Sequence, residues 1–106
     1  MRGRWRIVEM EAWDADFIDL MGPAHIQFDD GGGNFAFGCI TGEIDGSSDS
    51  DAISFTWGGN DEMDEAFGEG WAELQPDGSL VGEIIFHRGD ESTFIARPWP
   101  TSSAAC

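Results

Sequence analysis

Side chains that commonly bind transition metals are scarce in this sequence. His25 and His87 are the only histidines, and Cys39 and Cys106 are the only cysteines. Zinc sites usually take their ligands from closely spaced pairs of Cys and His, and no such pair occurs here. We therefore expect structural roles for His25, His87 and Cys39, and the sequence predicts no metal site and no cofactor.

The acidic segment from Asn60 to Glu65 is a second candidate for cation chemistry. Its residues Asn, Asp, Glu, Met, Asp and Glu place oxygen-bearing side chains at all positions except Met63, and calcium prefers such oxygen ligands. The segment lacks the Asp-x-Asp-x-Asp-Gly spacing and the distant Glu of an EF-hand loop, and residues 45–51 lack them as well. The sequence therefore favours a solvated acidic loop over a calcium site.

Catalytic motifs are also missing from the sequence. The glycine run at residues 31–33 does not lie between a strand and a helix, as a phosphate-binding loop would. No nucleophile or oxyanion-hole motif accompanies either histidine. An acid–base pair of His87 with Glu83 or Glu69 is the enzymatic alternative. We predict no catalytic residues and regard an enzyme as the less favoured class.

The segment from Gln75 to Ser79 predicts a tight turn that aligns the strands on either side. Its Pro-Asp-Gly order suits a type I turn with glycine in the left-handed position, which sets Leu74 opposite Leu80. Side chains alternate along a strand, so the two faces differ in character. One face carries Gly70, Ala72, Leu74, Leu80, Gly82, Ile84 and Phe86. The other is aromatic and acidic and carries Phe67, Glu69, Trp71, Glu73, Val81, Glu83, Ile85 and His87.

The aromatic and acidic face supplies the candidate binding residues. Trp71 stands among Glu69, Glu73 and Glu83, and a large aromatic side chain among carboxylates suits a ligand pocket or the anchor of an interface. Ordinary core packing of Trp71 is the alternative. The ligand or interface candidates are Phe67, Trp71, Glu83, Ile85 and His87.

Much of the remaining sequence has the two-residue period of β-strands. The clearest case is residues 53–57, where alternation with Ser54 and Thr56 predicts a strand with Trp57 in the core. Further strands are predicted over residues 4–10, where the alternation slips at Val8 and indicates a bulge or a strand covered on both faces, and over 24–29 and 35–40. The polar segment 45–51 and the acidic segment 58–65 are expected to be loops.

These elements predict an all-β fold. One short helix is expected over residues 13–21, with Asp14 as its N-cap and Gly22-Pro23 as its stop. About seven strands joined by short turns then form a small antiparallel up-and-down barrel or a curled meander.

The last hairpin leaves two registers open. A two-residue turn at Gly89-Asp90 pairs Arg88 with Glu91 and Ile85 with Phe94, which places Phe94 on the aromatic and acidic face. A register shifted by one residue pairs Phe86 with Phe94 instead.

The composition restricts the partners. The chain has 21 acidic residues against five arginines and no lysine, with a formal net charge of -16. Nucleic acid is not an expected partner, because phosphate binding requires clustered Lys and Arg. An acidic surface attracts a basic protein or cations, and it also keeps a protein soluble.

The length of 106 residues suits one domain. We expect a single β-barrel-like domain over residues 1–97 and a loosely ordered tail over 98–106.

The sequence contains no membrane-length apolar run and no signal-peptide pattern, so we expect no membrane partner and a cytoplasmic location. Cys39 lies in a strand-like segment and Cys106 in the tail, so no disulfide between them is expected.

Two resemblances stand beside these predictions. Gly3-Arg4-Trp5 together with Arg97 resembles the Gly-x-Trp motif and closing Arg of lipocalin-like barrels, which implies a ligand-holding barrel with Arg97 packed over Trp5. The segments GRWRI, WGGNDEMD, GWA and FHRGD resemble a family of small uncharacterised bacterial proteins, over nearly the whole chain up to Arg97. The second resemblance implies a bacterial protein and no particular activity.

The favoured function is a non-enzymatic binding or interaction module that forms a homodimer, with Trp71 and Ile85 in the interface. One alternative is a small-ligand-binding, lipocalin-like barrel with the same face turned inward. Two further alternatives are a small enzyme using His87 with an adjacent carboxylate, and an acidic decoy for a basic protein partner. The first two differ in whether the Trp71 face points out of the barrel or into it.

Overall fold

Eight antiparallel strands follow one another around a closed barrel in the computed structural model, which describes residues 3–20, 22–29, 32–48, 51–87 and 89–99. The strands are β1 (Gly3–Met10), β2 (His25–Asp29), β3 (Gly32–Phe37), β4 (Ile40–Ser48), β5 (Ala52–Asp61), β6 (Asp64–Leu74), β7 (Leu80–Phe86) and β8 (Glu91–Pro98), and the helix α1 (Ala15–Ile18) lies between β1 and β2. The barrel closes where β8 pairs with β1, for example Ala96 with Ile7. Closure pairs both edges of the sheet. The predicted all-β up-and-down barrel with one short helix is confirmed, with eight strands.

Aromatic side chains fill the interior of the barrel. The ring centroid of Trp57 lies 5.1 Å from that of Phe35 and 5.0 Å from that of Phe86, both in edge-on contacts. Such contacts add to the stabilisation that comes from burying apolar area. Only 4% of Trp57 is exposed, which confirms it as a core residue.

Two inward-facing glycines make room for phenylalanine rings. A Cβ atom added at Gly82 would come within 2.8 Å of the Phe94 ring, and one added at Gly70 within 2.7 Å of the Phe55 ring. Carbon atoms do not approach one another so closely without displacement. Glycine is therefore required wherever a ring packs directly on the backbone of the opposite strand.

The helix α1 and its flanking residues cover one end of the barrel, which we call the mouth. The Phe17 amide donates a hydrogen bond to Asp14 Oδ1 at 3.0 Å, so the predicted N-cap is confirmed. The helix is shorter than predicted and ends at Ile18. Directly after the helix, Asp19 accepts hydrogen bonds from Arg6 Nη2 on β1 at 2.9 Å and from the amide of Ala24, just before β2, at 3.1 Å.

Two segments predicted as loops belong largely to strands. β4 continues through the polar segment to Ser48, and residues 49 and 50 lie outside the described part of the chain. β5 runs to Asp61 and β6 starts at Asp64, so only Glu62 and Met63 form the turn. Polar residues are compatible with these strands because the backbone pairs across the hairpin while outward side chains meet water.

The predicted strand over residues 35–40 is in fact a hairpin. β3 ends at Phe37, and Gly38, with a φ of 57°, and Cys39 lead into β4 at Ile40. Glycine adopts this left-handed conformation without the steric cost of a Cβ atom. Cys39 is therefore a half-buried turn residue with a free thiol.

Both predicted registers of the last hairpin were wrong. Ile85 pairs with Glu91 and Gly82 with Phe94, and the Phe86 amide donates to the Asp90 carbonyl at 2.9 Å to close a longer loop. Arg88, which was expected to pair with Glu91, lies outside the described residues. Phe94 consequently points into the barrel over Gly82, because that register buries its ring in the core.

The pairing of β1 with β8 contains the bulge in β1 and extends to the C-terminal end of the barrel. The register shifts between Ile7 and Glu9, which confirms the predicted bulge. β8 continues to Pro98, and the Trp99 amide donates to the Arg4 carbonyl at 3.0 Å. Backbone pairing therefore reaches Trp99, and residues 100–106 lie outside the described part of the chain, so the predicted division into a domain and a tail stays a prediction. Among the described residues, no helix has the length and apolar character needed to cross a bilayer.

Candidate functional site

The face that carries the five candidate residues points out of the barrel. β6 and β7 pair in the predicted register, with Leu74 opposite Leu80 and Trp71 opposite Glu83. Leu80 and Ile84 are fully buried in the interior. Alternation along the strands therefore places Trp71 and Ile85 outside.

A side-chain hydrogen bond fixes the turn that sets this register. The hydroxyl and the amide of Ser79 donate to Asp77 Oδ1, at 2.6 Å and 2.9 Å. These bonds hold the pKa of the Asp77 carboxyl below its ordinary value, because they favour the charged form. The local turn thereby determines which residues share the outer face.

Two side-chain contacts organise the outer face. Trp71 Nε1 donates a hydrogen bond to Glu83 Oε1 at 3.2 Å. The Phe67 ring stacks on the His87 imidazole, with centroids 4.7 Å apart and planes inclined by 22°. Ile85 lies on β7 between these two pairs, so all five candidates share one surface.

Large apolar side chains remain exposed on this surface. The exposed fraction is 39% for Trp71 and 51% for Phe67. Val81 and Ile85 are half-buried, and Ile95 extends the apolar area onto β8, where it pairs with Val81. Contiguous exposed apolar area is typical of interaction surfaces. We call Phe67, Trp71, Val81, Ile85 and Ile95 the outer aromatic face.

Charges of opposite sign flank the outer aromatic face. Glu69 and Glu73 lie two residues before and two residues after Trp71 on β6, so the three side chains point to the same side. Arg6 and Arg97 pair across β1 and β8 at the other side, and Arg6 also forms a salt bridge with Asp19 at 2.9 Å. Glu91 of β8 pairs with Ile85, and Glu9 of β1 pairs with Ile95. The surface is therefore acidic on β6 and β7 and carries charges of both signs on β1 and β8.

Trp5 and Arg97, the two residues that carry the lipocalin-like resemblance, lie near each other in the pair of β1 with β8, where Trp5 pairs with Pro98. Arg97 is exposed and opposite Arg6, whereas Trp5 is buried and donates from Nε1 to the Gly78 carbonyl at 3.3 Å. Among the described residues, the cation–π contact at this end joins Arg4 to Trp99, at 5.2 Å from the ring centroid.

The geometry around His87 does not assemble an acid–base pair. Within the described residues, no hydrogen bond or salt bridge joins His87 to Glu69 or Glu83. Glu83 lies within β7, whereas His87 follows the last residue of that strand, Phe86. His87 is paired with the Phe67 ring instead.

A second site, at the barrel mouth, was missed in the sequence. A cavity of about 340 Å³ lies among α1, the β5–β6 turn and the β7–β8 loop. Its aromatic floor contains Trp13, whose centroid lies 5.9 Å from that of Phe17 and 6.0 Å from that of Phe86. Its rim carries the exposed carboxylates of Asp61, Asp64, Glu65 and Asp90.

The mouth overlaps only partly with the predicted site. Phe67 and His87 line the cavity, whereas Trp71, Glu83 and Ile85 do not. No local spacing pointed to this cavity, because its walls come from segments that are distant in the sequence. The acidic segment around Asp61 predicted the charge of the rim, but nothing in that segment predicted that aromatic side chains would lie beneath it.

The side chains considered for metal binding are separated in the fold. His25 Nε2 lies 3.0 Å from Asn34 Oδ1 on the neighbouring strand, which supports a structural role for His25. In the described ranges, no three His, Cys, Asp or Glu side chains are grouped so that they could hold a metal ion.

Comparison of the chain with protein-family models, curated proteins and solved structures finds no match. The two resemblances drawn from short motifs therefore stay predictions. Fold and sites together define an eight-stranded antiparallel barrel with an aromatic interior, an outer aromatic face and an acidic mouth.

Proposed function

We propose that this protein is a non-enzymatic binding module that forms a homodimer through the outer aromatic face. The observation that carries the proposal is the outward position of Trp71 and Phe67, whose rings leave 39% and 51% of their surface exposed. Aromatic side chains at the centre of a surface are frequent anchors of protein interfaces.

Charge complementarity supports a second copy of the chain as the occupant. In a two-fold symmetric interface the same surface is used on both subunits. Such an arrangement can set Arg97 of one copy against Glu73 or Glu83 of the other, which offsets the repulsion between two acidic surfaces. Arg6 is less suited to this role because it already forms a salt bridge with Asp19.

The alternatives have weaker support. The aromatic rings that occupy the interior leave a lipocalin-like internal ligand less favoured, and an enzyme built on His87 lacks a hydrogen-bonded carboxylate. An acidic decoy for a basic protein uses the same carboxylates as the homodimer but needs no apolar contact. We place the module in the cytoplasm, whose reducing conditions suit the free thiol of Cys39.

Sedimentation equilibrium tests the homodimer. We expect wild type to dimerise at tens of micromolar and Trp71→Glu to be a folded monomer, because the new carboxylate would be buried beside Glu83. Thr41→Glu adds the same charge at an exposed position on β4 and should leave dimerisation unchanged. A monomeric wild type would overturn the proposal, and salt-sensitive capture of a basic protein by that monomer would favour the decoy.

A further inference from the structure

The mouth cavity joins a continuous aromatic floor to an acidic rim. Trp13 contacts Phe37 at a centroid distance of 5.3 Å, so the floor is the upper layer of the barrel core. Ile40, which also lines the cavity, is buried. An apolar group placed here would leave water and meet rings that are already held in position.

The charged groups that the structure describes at the rim of the cavity are carboxylates. Asp61 and Asp64 stand directly opposite each other at the end of the β5–β6 hairpin, and Asp90 approaches from the β7–β8 loop. Among the described lining residues there is no Lys or Arg. Like charges that face each other across a strand pair are unfavourable, and a bound cation would relieve that repulsion.

These two features together specify the ligand. A neutral apolar molecule would leave the carboxylates unused, and a bare metal ion would leave the aromatic floor unused. A cationic group over aromatic faces gains a cation–π interaction in addition to its attraction to carboxylates. The volume of about 340 Å³ falls at the small end of the range found for small-molecule sites.

We propose that the barrel mouth binds a small organic cation, an ammonium compound with an aromatic or other apolar substituent. The substituent packs on Trp13, Phe17 and Phe86, and the ammonium group lies toward Asp61, Asp64 and Asp90. Trp71 does not line this cavity. Phe67 borders both the cavity and the outer aromatic face, but the dimer anchor Trp71 and the cation-binding carboxylates are different residues. Trp71→Glu tests the homodimer without changing the cavity lining, so either proposal can fail without the other.

Calorimetric titration with benzyltrimethylammonium at low salt tests this inference. Benzyl alcohol is the neutral comparison. The test variant is Asp61→Asn/Asp64→Asn/Asp90→Asn, which removes three charges from the rim. The matched control is Glu69→Gln/Glu73→Gln/Glu83→Gln, which removes the same charge from the glutamates beside the outer aromatic face. Resonances of the Trp13 indole N–H locate the bound probe.

We expect saturable binding of benzyltrimethylammonium that shifts the Trp13 resonance. The affinity should fall by about tenfold or more in the rim variant and by less than about threefold in the control. Absence of saturation, equal losses in both variants, or equally tight binding of benzyl alcohol would overturn the inference. If the rim variant does not fold, the comparison of the two probes on wild type, with the Trp13 shift, decides the question.

Discussion

The indole of Trp71 donates from Nε1 to Glu83 Oε1 across the β6–β7 pair, at 3.2 Å, on the outside of the barrel. The bond satisfies the one polar atom of the indole while much of the ring remains in contact with water. The two residues are directly opposed because the Asp77–Ser79 turn sets the register. A hydrogen bond that holds the indole in place while its ring remains exposed suits a residue in a protein interface.

Replacing Trp71 should have a small effect on the stability of the monomer. The ring is partly exposed and its hydrogen bond lies near the surface, so we expect Trp71→Ala to lower the free energy of unfolding by less than about 1.5 kcal/mol. Urea denaturation at a protein concentration below the dimer range measures this. A loss above about 3 kcal/mol would assign Trp71 to the core.

Replacing Trp57, which is buried, should lower the free energy of unfolding far more than replacing the exposed Trp71. Its side chain is enclosed by Phe35 and Phe86, and its Nε1 donates to the Ile85 carbonyl at 3.3 Å. We expect Trp57→Ala to cost roughly 3 to 5 kcal/mol in the same experiment, as is usual for a buried tryptophan. A cost below about 1 kcal/mol would show that the two faces of β5 have been exchanged.

Adding one methyl group at Gly82 should also destabilise the barrel. The new Cβ would meet the Phe94 ring at 2.8 Å as well as the Trp71 carbonyl oxygen. We expect Gly82→Ala to cost about 1 to 3 kcal/mol, the usual range for overpacking. The control is Gly58→Ala, whose Cβ would find its nearest neighbour at 4.0 Å. Equal denaturation midpoints for the two variants would contradict the packing of Phe94 over Gly82.

The turn between β6 and β7 should make stability depend on acidity. The Ser79 hydrogen bonds lower the pKa of Asp77 in the native state. A lowered native pKa stabilises the fold above the ordinary value of 3.8, and this contribution is lost as the pH falls through the native pKa.

Ser79→Ala removes the hydroxyl donor, so the pKa of Asp77 should move up toward its ordinary value. Carboxyl carbon resonances followed through an acid titration measure the shift directly. Urea denaturation at neutral pH and below pH 3.8 should show a smaller loss on acidification in the variant than in wild type. If Asp77 titrates identically in both proteins, the Ser79 hydroxyl is not what lowers its pKa.

The alternating pattern and the turn residues determine the fold class and one register of this protein. The Pro-Asp-Gly turn forms through local backbone preferences and a hydrogen bond between residues two apart, so Leu74 opposite Leu80 follows without knowledge of the rest of the chain. Ile53, Phe55 and Trp57 alternate with polar residues, so the inward face of β5 was also predictable.

Other features depend on groups that meet only in the closed barrel. Both faces of β6 and β7 carry apolar residues, and the outward position of Trp71 follows from which face the neighbouring strands enclose. The register between β7 and β8 places Phe94 opposite Gly82, where the Phe94 ring can pack on the glycine. Trp13 meets Phe86 and the Asp61 hairpin only when β1 closes against β8, since burial and packing between distant segments have no local signal in the sequence.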